Sequence, residues 1–427
     1  LLVGCCLVDI FRIYAPDTPY KDGVMLRVFE VMSILIRNLE TAINGSEEQS
    51  QSIYIIQSLA TVKSCVIPVI MAQRGVRGAL ETAQTLFQAL IDSVRPDHSD
   101  ALLSSCADIM NFCIVEFEGI PEEWIDVLLF PLLPQSKADN PTAYKLVAGT
   151  LRSVGPLPVV QSCFGQLASD VLVNPSGGRN TEVTEEIYSL IYELHLVHPP
   201  LLFNIIPTIT VLLKVDNDEV RAKIVKLLGK LYTSDHYDYT REFDKEFREF
   251  ASRINDRIPQ VRNEMVETIV MLIRSRPRLK SFLEELILKK LRDPEEEIRL
   301  HTLKKLLDFA QTNITSLSTE TYNEICDRVK DKKSEVRKVA LIGLSKLYCH
   351  HVSSRLHPIS RINGRDNSDI TEGILDEVFH RLEFVPSIVL KSWGYPDYPT
   401  KHLILHLLQE YILPKSIKLN SGNNGDD

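Results

Sequence analysis

The sequence predicts an all-α chain, an α-solenoid in which antiparallel helix pairs stack into a curved right-handed superhelix. Three observations predict it. Four times in the second half, an acidic turn runs into a helix opening with Val-Arg or Ile-Arg: Asp216 to Arg221, Asp256 to Arg262, Asp293 to Arg299 and Asp331 to Arg337. The arginines are 41, 37 and 38 residues apart, a period of HEAT/armadillo-like repeats, each of which buries its apolar face only against the next. Elsewhere apolar residues recur at spacings of three and four, as in Val24–Ile36 and Glu81–Ile91, the mark of amphipathic helices. With 427 residues and 44% hydrophobic content, the chain can fill a continuous core.

In chain order, residues 1–213 read as degenerate repeats of the same solenoid, with helix breaks at Asn44-Gly45-Ser46, Arg95-Pro96-Asp97 and Asn174 to Gly178. Residues 214–347 hold the regular repeats. Residues 348–370 read as a polar loop, 371–413 as a further helical repeat and 414–427 as a disordered tail. Charge divides along the same line. Residues 1–213 carry 12 Lys/Arg against 23 Asp/Glu, residues 214–346 carry 28 against 24, and the whole chain stands at −9. In Val220–Leu231, the residues Val220, Ile224, Leu227, Leu228 and Leu231 form one apolar stripe. Small Ala340 and Gly343 leave room for a neighbouring helix. Arg221, Arg262, Arg299 and Arg337 are expected to be structural, each bonded to the acidic turn of its own or the adjacent repeat. Facing a ligand is the alternative.

The residues of chemistry are sparse. No glycine-rich phosphate loop is present, and Gly177-Gly178 lacks a following Lys-Ser/Thr. His350 and His351 are adjacent, so on a helix they point apart and make poor metal ligands. The eight cysteines form no Cys-x-x-Cys pair and read as free thiols. Apolar runs are too short for a membrane span. Leu1 stands inside an apolar helix with no Met before it, so the chain is expected to be a piece of a longer protein. A non-enzymatic binding surface without a required cofactor or metal is the reading that remains. Net negative charge argues against whole-surface contact with DNA or tRNA.

Basic residues recur in successive regular repeats: Arg253, Arg257, Lys289, Lys290, Arg292, Lys330, Lys332 and Lys333. Aligned on one surface they would form a strip for an acidic peptide or a polyphosphate. Balanced by nearby glutamates, they would be an ordinary solvated face.

The first helix ends in Tyr14 and then Ala15-Pro16-Asp17-Thr18-Pro19-Tyr20. Two prolines bracketing Asp-Thr force an extended or turn excursion after the helix. On physics alone this is an inter-helix turn or a rigid platform for a short peptide. The segment Leu7–Tyr20 resembles the signature of the precocious-dissociation-of-sisters family, HEAT-repeat regulators of cohesin, whose loop reads Ala-Pro-Asp-Ala-Pro-Tyr or a near variant; this chain departs at Thr18. The resemblance extends through Arg253–Asp256, Arg292–Arg299 and Val336–Tyr348. It implies a nuclear, chromosome-associated scaffold acting in cell division and DNA repair, with only indirect contact to chromatin DNA. It implies binding of the kleisin subunit, of short aromatic-containing peptides from cohesin's releasing factor and its antagonists through Tyr14 to Tyr20, and association with the cohesin acetyltransferase. Inositol hexakisphosphate is held by some vertebrate members; here basic composition alone speaks for it. The alternative is a solenoid adaptor of transport or signalling complexes with no chromosome role.

Overall fold

The computed structural model describes residues 1–15, 17–173, 184–312, 314–356, 382–394 and 398–412. Among the described residues every regular element is helical. The chain forms two compact units, Leu1–Asp216 and Asn217–Asp427.

In the first unit, α1 (Leu2–Tyr14), α2 (Asp22–Thr41), α3 (Glu47–Val62) and α4 (Ile67–Gln73) are followed by α5 (Ala79–Ser93) and α6 (Asp100–Phe117). Then come α7 (Glu122–Leu129), α8 (Pro134–Asp139), α9 (Pro141–Val154), α10 (Pro158–Val173), α11 (Ile187–Val197) and α12 (Ile205–Val211). The breaks have local causes. Before α3, Gly45 takes a φ of 78°. The Ser46 hydroxyl then accepts the Gln49 N–H at 3.1 Å, while the Gln49 side chain accepts the Gly45 N–H at 2.7 Å, so two free N–H groups are met reciprocally. Before α6, the Ser99 hydroxyl accepts the Leu102 N–H. Alternate helices pack: α3 lies against α1 and α6, α6 against α9, and α2 along α5. Trp124 is fully buried, with its ring 4.6 Å from Phe87 and 5.7 Å from Phe117.

The second unit repeats more regularly. One row is α13 (Asp218–Thr233), α16 (Pro259–Ser275), α18 (Glu296–Thr312) and α20 (Ser334–Leu356), each packed on the next. Between them stand α14 (Tyr239–Glu242), α15 (Asp244–Ser252), α17 (Lys280–Lys290) and α19 (Thr319–Asp327), with α17 against α19. Ile224, Leu228 and Leu231 are buried in this row, whereas Val220 at its edge is half-buried. Gly343 is needed where α20 meets α18, because a Cβ there would overlap the Leu307 side chain. Residues 348–356 continue α20 rather than opening a loop; the polar stretch begins later, and 357–370 lies outside the described residues, as do Asn174–Gly178 and the tail 414–427. Further on, α21 (Val385–Lys391) and α22 (Tyr398–Leu407) precede a π-helical turn, Leu408–Ile412. Among the described residues no single helix is long and apolar enough to cross a membrane.

Candidate peptide loop and partner surface

The loop between α1 and α2 is closed at its base by packing and open at its tip. Phe11 of α1 and Phe29 of α2 stack with ring centroids 5.6 Å apart. The Ala15 N–H caps α1 by donating to the Phe11 carbonyl at 2.9 Å, and the Asp17 N–H donates to the Tyr14 carbonyl at 2.8 Å. Pro16 lies outside the described residues. Asp17 and Thr18 are exposed, Pro19 and Tyr20 half-buried, and Tyr14 is 53% exposed. Lys21 is the N-cap of α2 and makes no capping bond through its side chain, so Asp17 does not serve as the cap of that helix. Among the described residues the Asp17 carboxylate has no hydrogen bond or ion pair, which leaves a fixed anion flanked by two tyrosines on a two-point anchored turn. Such a site can take a cationic or N–H donor group with an aromatic beside it.

The repeated arginines of the second unit do something different. Arg221 Nε donates to Asp256 Oδ2 at 3.1 Å, Arg262 Nε lies 3.3 Å from Asp293 Oδ2, and Arg299 Nε donates to Asp331 Oδ2 at 2.9 Å. Each arginine thus grips the aspartate that opens the next repeat. The other edge of the guanidinium closes the repeat's own turn: Arg262 Nη1 donates to the Asp256 and Arg257 carbonyls, Arg299 Nη1 to those of Asp293 and Pro294, and Arg337 Nη1 to those of Asp331 and Lys332. The aspartates meanwhile accept the N–H two residues on, from Ile258, Glu295 and Lys333. Arg221, Arg262 and Arg299 are at most 7% exposed. Burial alone would raise the Asp331 pKa, but hydrogen bonds from Arg299 override it and hold the carboxyl below the usual range.

The basic residues do not form a free strip. Lys290 is 6% exposed and bonded to Asp293 at 3.0 Å, so it belongs to the ladder and not to a partner surface. Arg292 pairs with Glu324, Lys289 with Glu285, Lys333 with Glu296 and Arg257 with Asp218. Arg253 reaches Glu249 and Asp256. Lys330 and Lys332 are exposed. Arg276, within a basic run, is also buried, and donates to Asp238 at 3.1 Å. Most of these cations are thus paired with a carboxylate of their own helix or of the neighbouring repeat.

Residues 1–423 match the family described as "Sister chromatid cohesion protein PDS5 protein". The chain belongs to this family. It is similar to "Sister chromatid cohesion protein PDS5 homolog A" of Gallus gallus, 28% identical over 422 residues, and of Danio rerio, 29% identical over 422 residues; each comparison covers 98% of this chain and 30% of the relative. The human PDS5 homolog A is 28% identical over 424 residues, covering 98% and 29%. The chain therefore spans about 30% of the length of these PDS5 relatives. In fold it is similar to a solved chain described as "Structure of the Pds5-Scc1 complex and implications for cohesin function", with a TM-score of 0.76 at 20% identity, covering 96% of this chain and 59% of that one. The HEAT-like α-solenoid read from the arginine period is the fold observed.

Proposed function

We propose that this chain is part of a non-enzymatic, chromosome-associated regulator of sister chromatid cohesion that works by binding cohesin's kleisin subunit and short peptides of its release and protection factors. Family membership supports the cohesin context. The observation that carries the peptide site is the Asp17 carboxylate, exposed, uncommitted to helix capping and flanked by Tyr14 and Tyr20. A loop pinned at both ends loses little entropy when a peptide docks. Kleisin would lie on the regular repeats of the second unit, steered by the exposed Lys330 and Lys332.

The test of the loop is Asp17→Lys. It should leave the melting temperature unchanged, since the side chain has no partner among the described residues, and weaken a labelled Tyr-Ser-Arg peptide ten-fold or more in fluorescence anisotropy, about 1.4 kcal/mol. Equal affinity for wild type and variant removes the loop from the site and leaves it a turn.

A further inference from the structure

A cavity of about 690 Å³ opens in the first unit beside α5, α7, α8, α9 and the residues leading into α11. Its origin is in the sequence. Pro131 lies in the 3-10 turn Phe130–Leu132 and Pro134 starts the six-residue α8, which buries none of its side chains. The short helix therefore stands away from α5 instead of packing down on it, and its proline-fixed backbone keeps the space open. Buried Ile91, Leu133 and Ala143 contribute an apolar floor, and Phe130, 43% exposed, contributes a wall.

The rim is of one sign. Among the described residues Asp92, Asp139, Glu185 and Glu186 line the cavity, and no lysine or arginine does. The nearby cation on α8, Lys137, is committed elsewhere: its Nζ bonds Glu193 at 2.9 and 3.1 Å and lies 4.2 Å from the centre of the Tyr144 ring. Arg37 lies 3.9 Å from Asp92, an exposed pair, and Gln88 Nε2 donates to Asp92 Oδ1 at 2.6 Å. Among the described residues no group of carboxylates, histidines and cysteines is arranged to hold a metal ion, so the rim acts as a field and not as a chelate. An apolar concavity ringed by four carboxylates, of which Asp92 alone is paired with a cation among the described residues, repels nucleic acid, phosphates and acidic lipid, and suits a cationic chain with one large apolar side chain.

We propose that this cavity is a docking site for a basic peptide segment of a partner protein, distinct from the Ala15–Tyr20 loop. An aromatic or large aliphatic residue seats against Phe130 and Ile91, and flanking lysines or arginines meet Asp92, Asp139, Glu185 and Glu186. The anchor supplies the slow off-rate and the rim the fast, salt-sensitive on-rate. The site shares no residue with the loop, so either can fail alone.

The experiment is a selection of displayed random peptides on the whole chain, followed by anisotropy of the labelled winners. The expected winners carry one large apolar residue between lysines or arginines and lose affinity as salt rises. Their affinity should fall about ten-fold with Phe130→Ser and again with the pair Asp139→Lys and Glu186→Lys, roughly 1.4 kcal/mol each, and should be unchanged by Asp17→Lys. All the altered side chains are exposed, so circular dichroism should match wild type; if Phe130→Ser misfolds, the charge pair still decides. Winners without basic residues, no winners, or affinities indifferent to both variants overturn the proposal. Sedimentation showing a dimer that Phe130→Ser dissolves would also overturn it, assigning the cavity to self-association.

Discussion

The two units use arginine in opposite ways. In the second, Arg221, Arg262 and Arg299 each hold a buried carboxylate of the following repeat, so charge is consumed inside the stack. In the first, the cross-repeat arginines reach mainly carbonyls, and the Arg37–Asp92 pair is exposed and 3.9 Å apart. Carbonyl bonds of this kind also occur in the second unit, from Arg328 to Leu291, but there they accompany the buried pairs. Arg95 donates to the Glu40 and Ala42 carbonyls at the end of α2, and Arg152 donates to the Val197 carbonyl at the end of α11. These bonds satisfy helix C-termini and favour the dipole; the acid that Arg95 also meets, Asp97 at 3.3 Å, is an exposed one of its own turn and not a buried one of another repeat. The excess of carboxylates in residues 1–213 is thereby left on the surface. One unit spends its charges on holding itself together; the other displays them, on the Asp17 loop and around the Phe130 cavity.

The sharpest way to break this contrast is to cut the ladder. Asp331→Ala leaves Arg299, 3% exposed, without its carboxylate, and should cost about 3–5 kcal/mol in the second unit. The joint change Arg299→Met with Asp331→Leu should recover part of this loss and stay about 2–3 kcal/mol below wild type, since no guanidinium is stranded at position 299 but the Asp293 and Pro294 carbonyls, the Lys333 N–H and Arg328 all lose a partner. The two tryptophans make the units separately visible: Trp124 lies in the first and Trp393 in the second. Denaturation of Trp124→Phe and Trp393→Phe backgrounds should show the Asp331→Ala loss in the second unit alone. A common shift in both probes would mean that the units unfold as one and that the contrast has no energetic content.

How much of this was legible follows from the same difference. The ladder could be read from sequence because its two members sit at fixed positions in every repeat, the aspartate opening the turn and the arginine following Val or Ile. Period and chemistry coincide. The same logic misread Lys290, whose place in a run of lysines suggested a surface, while its proximity to Asp293 puts it in the buried network. Arg95 and Arg152 were missed because their acceptors are main-chain carbonyls, which carry no residue identity. The polar content of residues 348–356 concealed the continuation of α20, where half-buried Cys349 and His351 still face other atoms. The Phe130 cavity had a weak signal in Pro131 and Pro134, which read as a break and not as a void. The Ala15–Tyr20 loop was found through its resemblance; its prolines alone permit a plain turn.

Acid should separate the units at a definite point. Both carry histidines that burial holds below the ordinary value, His98 and His198 in the first, His301 and His351 in the second. A lowered histidine stabilises above its unfolded pKa, so both units weaken as pH falls below about 6.5. Asp331 and Asp238 are held below the usual carboxylate range, by Arg299 and by Thr240 with Arg276, against the opposing effect of burial. Their contribution is full above about pH 4, the unfolded value, and is lost as pH falls through the lower folded values. Asp97 of the first unit is held low as well, by the Asn44 hydrogen bond, but at an exposed turn, so the second unit, whose lowered carboxylates are the more buried, should show the larger loss below about pH 4 by Trp393 fluorescence. The Arg299→Met, Asp331→Leu chain should show a shallower one. Parallel acid limbs in wild type and that chain would remove the ladder from the pH dependence.

The smallest effect concerns the cations that the ladder does not use. Lys330 and Lys332 are exposed on the turn that ends with Asp331 and Lys333, and the ladder's bonds around them involve the Asp331 side chain and the main-chain carbonyls of Asp331 and Lys332. Replacing both lysines by glutamate keeps every one of those bonds. Stability should stay within about 0.5 kcal/mol of wild type, as for surface changes away from buried features. A kleisin fragment, however, would meet two reversed charges. Exposed pairs are worth about 0.2–1 kcal/mol each, so titration calorimetry should find affinity reduced several-fold at low salt, with the gap closing as salt screens the surface. The contrast between the units predicts the complementary result. The same two substitutions should leave binding of a Tyr-Ser-Arg peptide to the Asp17 loop untouched, because that site displays its own charge and borrows none from the repeats of the second unit. Wild-type kleisin affinity at both salt concentrations would show that these two lysines lie off the kleisin path.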